Sequence, residues 1–109
     1  MTTIWGTLTI GSAPVQVSAD QNLKCSKLSF QVAPLATGGV KIGSAGLTSD
    51  NTTPGTFLSS TAGTNPDGSP QPGAAWSVES QEDRLVIYPA QYYVHGTHAG
   101  DKVMYEYHQ

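Results

Sequence analysis

The stretch LSFQV, residues 28–32, decides the fold of this chain. Its apolar residues Leu28, Phe30 and Val32 alternate with a serine and a glutamine. Successive side chains of a β-strand point to opposite faces, so this period of two predicts a strand with one face in a core and one toward water. Similar short runs lie on both sides of it.

These runs are short, rich in β-branched and aromatic residues, and separated by seven prolines and twelve glycines. No window shows the apolar stripe of a capped amphipathic helix. The chain is therefore predicted to be all-β, a single-domain antiparallel β-sandwich or jelly-roll-like barrel of about eight short strands with essentially no helix. The run from Leu85 to Tyr88 is continuously apolar, and we expect it to be covered on both faces. The other runs lie near residues 4–10, 15–17, 40–42, 76–78, 92–94 and 103–107.

One long polar segment interrupts the single domain predicted over residues 1–109. Thr, Ser, Gly, Asn and Pro dominate residues 44–74, which predicts a long loop. Phe57 and Leu58 are its apolar anchor, and we expect them to form a short strand or a contact that pins the loop. The sequence NPDGSPQPG, residues 65–73, is typical of turns throughout.

Charge and composition exclude several classes of function. Charged residues make up 12% of the chain and the formal net charge is −3. Nucleic-acid binding needs clustered Lys and Arg, whereas the five basic residues here are scattered, so no nucleic-acid partner is expected. No stretch approaches the roughly 20 apolar residues of a membrane span. The chain start lacks the basic region of a signal peptide, so we expect synthesis in the cytoplasm and no membrane partner.

The stretch HGTHAGD, residues 95–101, holds the densest cluster of potential metal ligands. His95, His98 and Asp101 offer three ligands of the kinds that zinc accepts. The two glycines between them favour a solvated hairpin turn, in which nothing fixes the directions of these side chains, and Asp101 is expected to accept hydrogen bonds from the amides of its own turn. We expect no metal and no cofactor, except where symmetric copies bring one histidine each to a shared axis.

The remaining candidates for chemistry are weaker, and we predict that the chain is not an enzyme. The acids Glu79, Glu82 and Asp83 lie together in a strand-to-strand turn, where solvated charges are expected rather than the facing carboxylates of a glycosidase. Cys25 is the single cysteine, and we expect a buried thiol rather than a nucleophile. No phosphate-binding loop, dinucleotide fingerprint or nucleophile elbow is present in the sequence.

Aromatic residues on polar strand faces are the candidates for contact with a partner. Trp5 and Tyr93 fall on the less apolar faces of their runs, so they are available for a protein contact or a stacked sugar, with partial burial under a neighbouring loop as the alternative. Phe57 stands in the long polar loop. We predict partner contacts at Trp5, Phe57 and Tyr93.

Three stretches together resemble small β-sandwich proteins encoded by tailed bacteriophages and prophages. The resemblance covers about half of the chain, and its motifs concern how strands begin and end. Two features depart from the pattern: the long loop and the extra His98 in the last turn. The three stretches are APVQVSADQNLKCSKLSFQVAP (residues 13–34), GGVKIGSAGLT (residues 38–48) and GTHAGDKVMYEY (residues 96–107).

The resemblance implies a virion structural protein of the head-decoration or fibre-like kind. Such a protein would be a capsid decoration or cement subunit that docks on the major capsid protein or other virion proteins, as a homo-oligomer with a trimer favoured. The alternative is a receptor- or carbohydrate-binding module of a fibre or tail, with Trp5, Trp76 and Tyr93 stacking on sugars. A small metal-dependent enzyme built on the histidine cluster is a distant third.

Overall fold

The computed structural model describes residues 2–61 and 63–109, and its secondary structure is almost entirely β. In that part of the chain, helical structure is confined to two 3-10 turns, Gln81–Asp83 and Pro89–Gln91. The predicted all-β class and number of strands are therefore confirmed. The strands are β1 Thr3–Thr9, β2 Val15–Gln16, β3 Lys27–Val32, β4 Val40–Gly43, β5 Thr56–Leu58, β6 Ala75–Glu79, β7 Tyr93–Gly96 and β8 Lys102–His108.

The strands are arranged in two four-stranded antiparallel sheets with the strand order of a jelly roll. The first sheet has the order β1-β8-β3-β6, and the second sheet has the order β2-β7-β4-β5. Strand β1 therefore pairs with β8, β2 with β7, β3 with β6 and β4 with β5, as in a long antiparallel ribbon that has been rolled up. The sheets form a sandwich and do not close into a barrel, so the sandwich is the correct one of the two predicted architectures.

The alternation within each strand selects the residues of the core between the sheets. In β3, Leu28, Phe30 and Val32 are buried, whereas the residues between them are partly exposed. The Phe30 ring stacks on Trp76 of β6 at 6.2 Å between centroids. It also lies 6.4 Å from the ring of Tyr92, which precedes β7 in the second sheet. This aromatic group therefore connects the two sheets.

A glycine in β1 lets a tyrosine of β8 lie flat against the first sheet. Gly6 and Tyr105 are directly opposite one another, and a Cβ atom at position 6 would lie 2.3 Å from the Tyr105 hydroxyl. Tyr105 stacks in turn on Tyr107, with 6.3 Å between ring centroids. Both tyrosines pack against the core, as the alternation of the last strand predicts.

The predicted long loop is divided by β5, which confirms the expected short strand at Phe57. The first part, residues 44–55, folds over the outer face of the second sheet and buries Lys41 of β4, which is 1% exposed. The Lys41 ammonium donates hydrogen bonds to the carbonyl oxygens of Asp50 and Thr53, and it lies 5.1 Å from the centroid of the Phe57 ring.

The prediction of a strand covered on both faces at Leu85–Tyr88 is wrong. Leu85 and Val86 are 49% and 58% exposed, and only Ile87 forms a bridge, with Cys25. A 3-10 turn precedes this run, and Pro89, which has no amide hydrogen, starts another directly after it. The two turns leave too short an extended segment for a ladder to form.

Candidate functional site

The outer face of the first sheet carries a large exposed aromatic side chain. Trp5 is 72% exposed, and it lies in a cross-strand row with Glu106, Ser29 and Ser77. We call this outer surface, which also includes Thr7, Gln31, Ala75 and Met104, the Trp5 face. Between the strands of this face lies a shallow cleft of about 390 Å³, lined by the Trp5 ring and its neighbours.

The period of two in β1 places the indole of Trp5 on this face. Leu8 packs against the core, so the even-numbered residues of β1 face inward and the side chains of the odd-numbered residues point outward. The surroundings of Trp5 are mostly hydroxyl and amide side chains. Charged residues of both signs surround Trp5 on the same face: Glu106 and His108 have side-chain atoms 3.9 Å apart, and Lys27 lies opposite Glu79. The face can therefore offer one large apolar contact on a surface where lysines and glutamates occur in equal number.

The other two predicted contact residues lie on the second sheet. Phe57 is 54% exposed, and its ring already covers the ammonium of Lys41. Tyr93 is half-buried at the start of β7, where it lines a cleft between the sheets. The three predicted residues thus occupy separate surfaces and do not form one site.

A cleft with a volume of about 600 Å³ lies between the sheets. Trp76 and Tyr92 are 6.4 Å apart between ring centroids, and together with Tyr93 they form aromatic walls. Gln21, Thr56 and Gln91 add amide and hydroxyl groups, and all of the residues that line the cleft are uncharged. Burial, with a smaller contribution from Cys25, raises the pKa of Tyr92, so its hydroxyl stays neutral at physiological pH.

The sequence analysis did not predict Tyr92 and the two glutamines as site residues. The alternation of β7 assigns Tyr92 to the core, where its ring does touch Phe30. Tyr92 also lines the cleft, where its ring centroid lies 6.4 Å from that of Trp76. The doublet Tyr92-Tyr93 was the available signal, since one member of such a pair faces each side of a strand.

The predicted metal ligands are not brought together. His95 lies on the outer face of the second sheet opposite Lys41, and its Nδ1 is buried without a hydrogen-bond partner. His98 lies in the β7–β8 turn, with its Nδ1 3.0 Å from the hydroxyl of Thr97. Across residues 2–61 and 63–109, no three His, Cys, Asp or Glu side chains are placed to hold a metal ion.

Asp101 has a structural task that differs from the predicted one. Its two carboxylate oxygens accept hydrogen bonds from the amides of Thr37 and Gly38, each 2.8 Å long. These amides belong to the loop before β4 and not to the turn of Asp101 itself, so the prediction that Asp101 binds its own turn is wrong. Gly100, with φ of 95°, turns the chain so that the carboxylate meets the neighbouring loop.

The same contacts determine the ionisation of Asp101, which is 7% exposed. Burial alone would raise its pKa. The hydrogen bonds from Thr37 and Gly38, together with the nearby His98, outweigh that effect and hold the pKa of Asp101 below its usual value. The carboxylate therefore stays charged while it joins the β7–β8 turn to the loop before β4.

The remaining candidate groups are a buried thiol and a solvated acidic turn. Cys25 is fully buried, as predicted, and burial raises the pKa of its thiol despite a hydrogen bond from the Lys27 backbone. Glu79 is exposed. Glu82 lies 3.4 Å from Arg84 with both side chains largely in solvent, whereas the side chain of Asp83 lies outside the described structure.

Comparisons with models of protein families, with curated proteins and with solved structures found no match to this chain. In the part of the chain that the structure describes, no helix has the length and apolarity needed to cross a membrane.

Proposed function

We propose that this chain is a non-enzymatic structural protein of a bacteriophage virion. In this proposal it is a capsid decoration or cement subunit, made in the host cytoplasm, that stabilises the particle by docking on the major capsid protein or on other virion proteins. The three-stretch resemblance supports the phage class and a homo-oligomer; it favours a trimer, whereas the strand edge described in the next subsection favours a dimer. The observation that carries the docking role is the Trp5 face.

An exposed indole among side chains of mixed charge is suited to a contact of modest strength. Covering a side chain of this size removes enough apolar area to contribute about 2–3 kcal/mol. The serine, threonine and glutamine side chains around Trp5 give up little hydration energy. The two lysines and two glutamates on the same face cancel in formal charge, so the face has no net charge to repel a partner. A particle presents many equivalent sites, so a modest affinity at each site supports full decoration when each decorating unit contacts several of them.

Particles of the phage that encodes the protein provide the test of this function. We expect mass spectrometry to detect the chain in purified particles. We expect Trp5→Ala to reduce its occupancy at limiting protein by at least about tenfold, since each loss of about 1.4 kcal/mol is a factor of ten. Val86→Ala is the matched control, because Val86 is also exposed but is not part of the Trp5 face. Absence of the chain from purified particles would refute the proposal, and equal occupancy of the two variants would exclude the Trp5 face as the contact.

The cleft between the sheets favours a second candidate function, a carbohydrate-binding module of a fibre or tail. Sugar rings stack on aromatic faces, and their hydroxyl groups pair with amides and hydroxyls such as those of Gln21, Gln91 and Thr56. Because the cleft lining is uncharged, the sugar would be neutral. Two of the three aromatic residues predicted for stacking, Trp76 and Tyr93, line this cleft, whereas Trp5 lies on the outer face of the first sheet.

A glycan array tests this second function. We expect wild-type protein to bind neutral saccharides and Tyr93→Ala to lose about tenfold or more in affinity, while Trp5→Ala binds normally because Trp5 is not part of the cleft. Binding to charged glycans only, or equal binding by Tyr93→Ala and wild type, would contradict it. Tyr93 is the residue to change because Trp76 also packs in the core.

A further inference from the structure

The first sheet ends in a long strand that is paired on one side only. Strand β1 pairs with β8 in an unbroken register that begins with Thr3 opposite His108 and ends with Thr9 opposite Lys102. In the described chain no other strand pairs with it. With seven residues, β1 is the longest of the four edge strands, since β6 has five, β5 three and β2 two.

The hydrogen bonds at both ends of β1 show which of its backbone groups are free. Thr2 and Gln109 exchange both of their backbone hydrogen bonds, at 3.0 and 2.8 Å, and the Ile10 amide donates to the Asp101 carbonyl at 2.8 Å. Since pairing groups alternate along an antiparallel strand, the even-numbered residues of β1 bond to β8. The odd-numbered residues therefore direct their amides and carbonyls to the open edge. They are Thr3, Trp5, Thr7 and Thr9.

This edge has none of the usual protection against pairing. Natural proteins block free edges with charged residues, prolines, bulges or short strands. The sequence of β1, TIWGTLT, contains no charge and no proline, and its register with β8 contains no bulge. The other three edges are protected, because β2 and β5 are very short and β6 ends in the charged Glu79.

We propose that β1 pairs with β1 of a second copy of this chain, antiparallel and around a two-fold axis, so that the two first sheets join into one sheet of eight strands. In the register that uses every free group, Thr3 lies opposite Thr9 of the second copy, Trp5 lies opposite Thr7, and Gly6 lies on the axis. This register forms about eight backbone hydrogen bonds, two for each of the four pairs.

The sequence of β1 complements itself in this register. The pairs are threonine with threonine and tryptophan with threonine, and an aromatic residue opposite a β-branched one is a favourable cross-strand pair. No charged side chain of β1 meets its own copy. The two indoles lie diagonally across the axis, so the Trp5 faces of the copies become one continuous surface.

A second copy related by a two-fold axis fits this edge better than a ring of three. A two-fold interface uses the same strand from both copies, whereas a trimer must pair β1 with a different edge. The longest edge available for that purpose is β6, which is shorter than β1 and ends in Glu79. The inference depends on the edge alone and does not require the proposed virion function.

Analytical ultracentrifugation of the full chain tests the proposal. We expect wild type to sediment as a dimer at micromolar concentration and both Thr7→Pro and Thr7→Lys to weaken the dimer by at least about 100-fold. Proline at position 7 removes an amide that points to the open edge and none that bonds to β8, and lysine places a charge on each copy beside the axis. Ser77→Lys is the matched control, because Ser77 is exposed on the same face but away from β1.

Amide hydrogen exchange gives a second, independent measurement. In a monomer the amides of Trp5 and Thr7 face water, whereas in the proposed dimer they are hydrogen-bonded and should exchange at least about tenfold more slowly. Circular dichroism establishes that each variant is folded. A monomeric or trimeric wild type, a dimer that persists in both Thr7 variants, or unprotected amides at dimer concentrations would overturn the proposal. Occupancy on particles is measured separately, so its failure would refute the virion function and leave the dimer intact.

Discussion

The outer faces of the two sheets contrast with one another. The second sheet is covered by the chain's own loop, residues 44–55, so that Lys41 in the middle of β4 is 1% exposed. The first sheet leaves Trp5, at an equivalent outward position in β1, 72% exposed. A loop of the same chain therefore covers the outer face of the second sheet. No such loop in the described structure covers the indole of Trp5 on the first sheet.

The covered face shows what an internal partner must provide. A buried ammonium group is costly unless its hydrogens are bonded, and the loop meets this need with the carbonyls of Asp50 and Thr53 and with the Thr53 hydroxyl at 3.2 Å. Asp50 in turn organises the loop by accepting hydrogen bonds from Thr52 and Thr48, which hold its pKa at about 2. The Trp5 face needs only an apolar contact, which another molecule can supply.

Removing the Lys41 ammonium, which the loop of residues 44–55 covers, should have the largest effect on the free energy of unfolding. Lys41→Met leaves the carbonyls of Asp50 and Thr53 without a buried donor, and we expect the free energy of unfolding to fall by about 2–4 kcal/mol. Urea denaturation followed by fluorescence measures it. Lys102→Met, an exposed lysine that points away from the core of the first sheet, is the matched control and should change stability by less than about 0.5 kcal/mol. Equal losses would show that the loop contributes nothing through Lys41.

The link that Asp101 makes between the β7–β8 turn and the loop before β4 should contribute the next largest share of stability. Asp101→Asn keeps one acceptor oxygen but turns an NH₂ group toward one of the amides of Thr37 and Gly38. We expect the unfolding free energy to fall by about 1–3 kcal/mol in the same urea assay. Glu79→Gln makes the same chemical change at an exposed site and should be nearly neutral. An unchanged unfolding free energy in Asp101→Asn would mean that the carboxylate does not hold the β7–β8 turn to the loop before β4.

Acid should weaken both of these regions. A carboxyl group whose pKa is lowered by folding binds fewer protons in the folded than in the unfolded chain, so its contribution is complete above the unfolded pKa and is lost as pH falls through the folded one. For Asp50 that interval runs from 3.8 to about 2, and Asp101 shifts in the same direction. The melting temperature of wild type should therefore decline over this interval. Asp101→Asn should decline less steeply, and parallel curves for the two proteins would contradict the assignment.

A substitution on the Trp5 face should have the smallest effect on the free energy of unfolding. Trp5→Thr removes a side chain that is already largely in water, so we expect a change of about 0.5 kcal/mol or less in the unfolding free energy at concentrations where the protein is monomeric. Trp76→Thr is the contrasting variant, since Trp76 stacks on Phe30 at 6.2 Å, and in the same urea assay it should lower the unfolding free energy several times more. A large loss for Trp5→Thr would mean that the indole already supports its own fold.

Local pattern predicted most of the strands because each of them is half-buried. The alternation in β3 and β8 identified the inward residues. For the anchor at Phe57 the sequence left a short strand and a pinning contact as alternatives, and the structure has the strand. The failure at Leu85–Tyr88 has a simple cause: a run of apolar residues does not show whether neighbouring turns leave room for a ladder. Turn geometry at Glu82, with φ of 58°, and at Pro89 decided that segment.

The candidate sites were predictable only in part. The less apolar faces of the strands correctly marked Trp5 as outward, but the cleft of Trp76, Tyr92 and Tyr93 depends on how two distant strands meet. The partners of Asp101 were equally hidden, because Thr37 lies 64 residues away in the sequence. Contacts between residues so far apart in the sequence depend on how the whole chain folds. The residue pattern of a single strand therefore does not predict them.

By itself, the sequence determined the all-β class, the approximate strands and the side of each strand on which a residue lies. Only the tertiary structure decided that Lys41 is buried and that Trp5 is open, although both are outward residues of their strands. The physical reason is that a period of two determines the direction of a side chain but not what lies above it. That depends on where a loop folds and on which strand is left at the edge of its sheet.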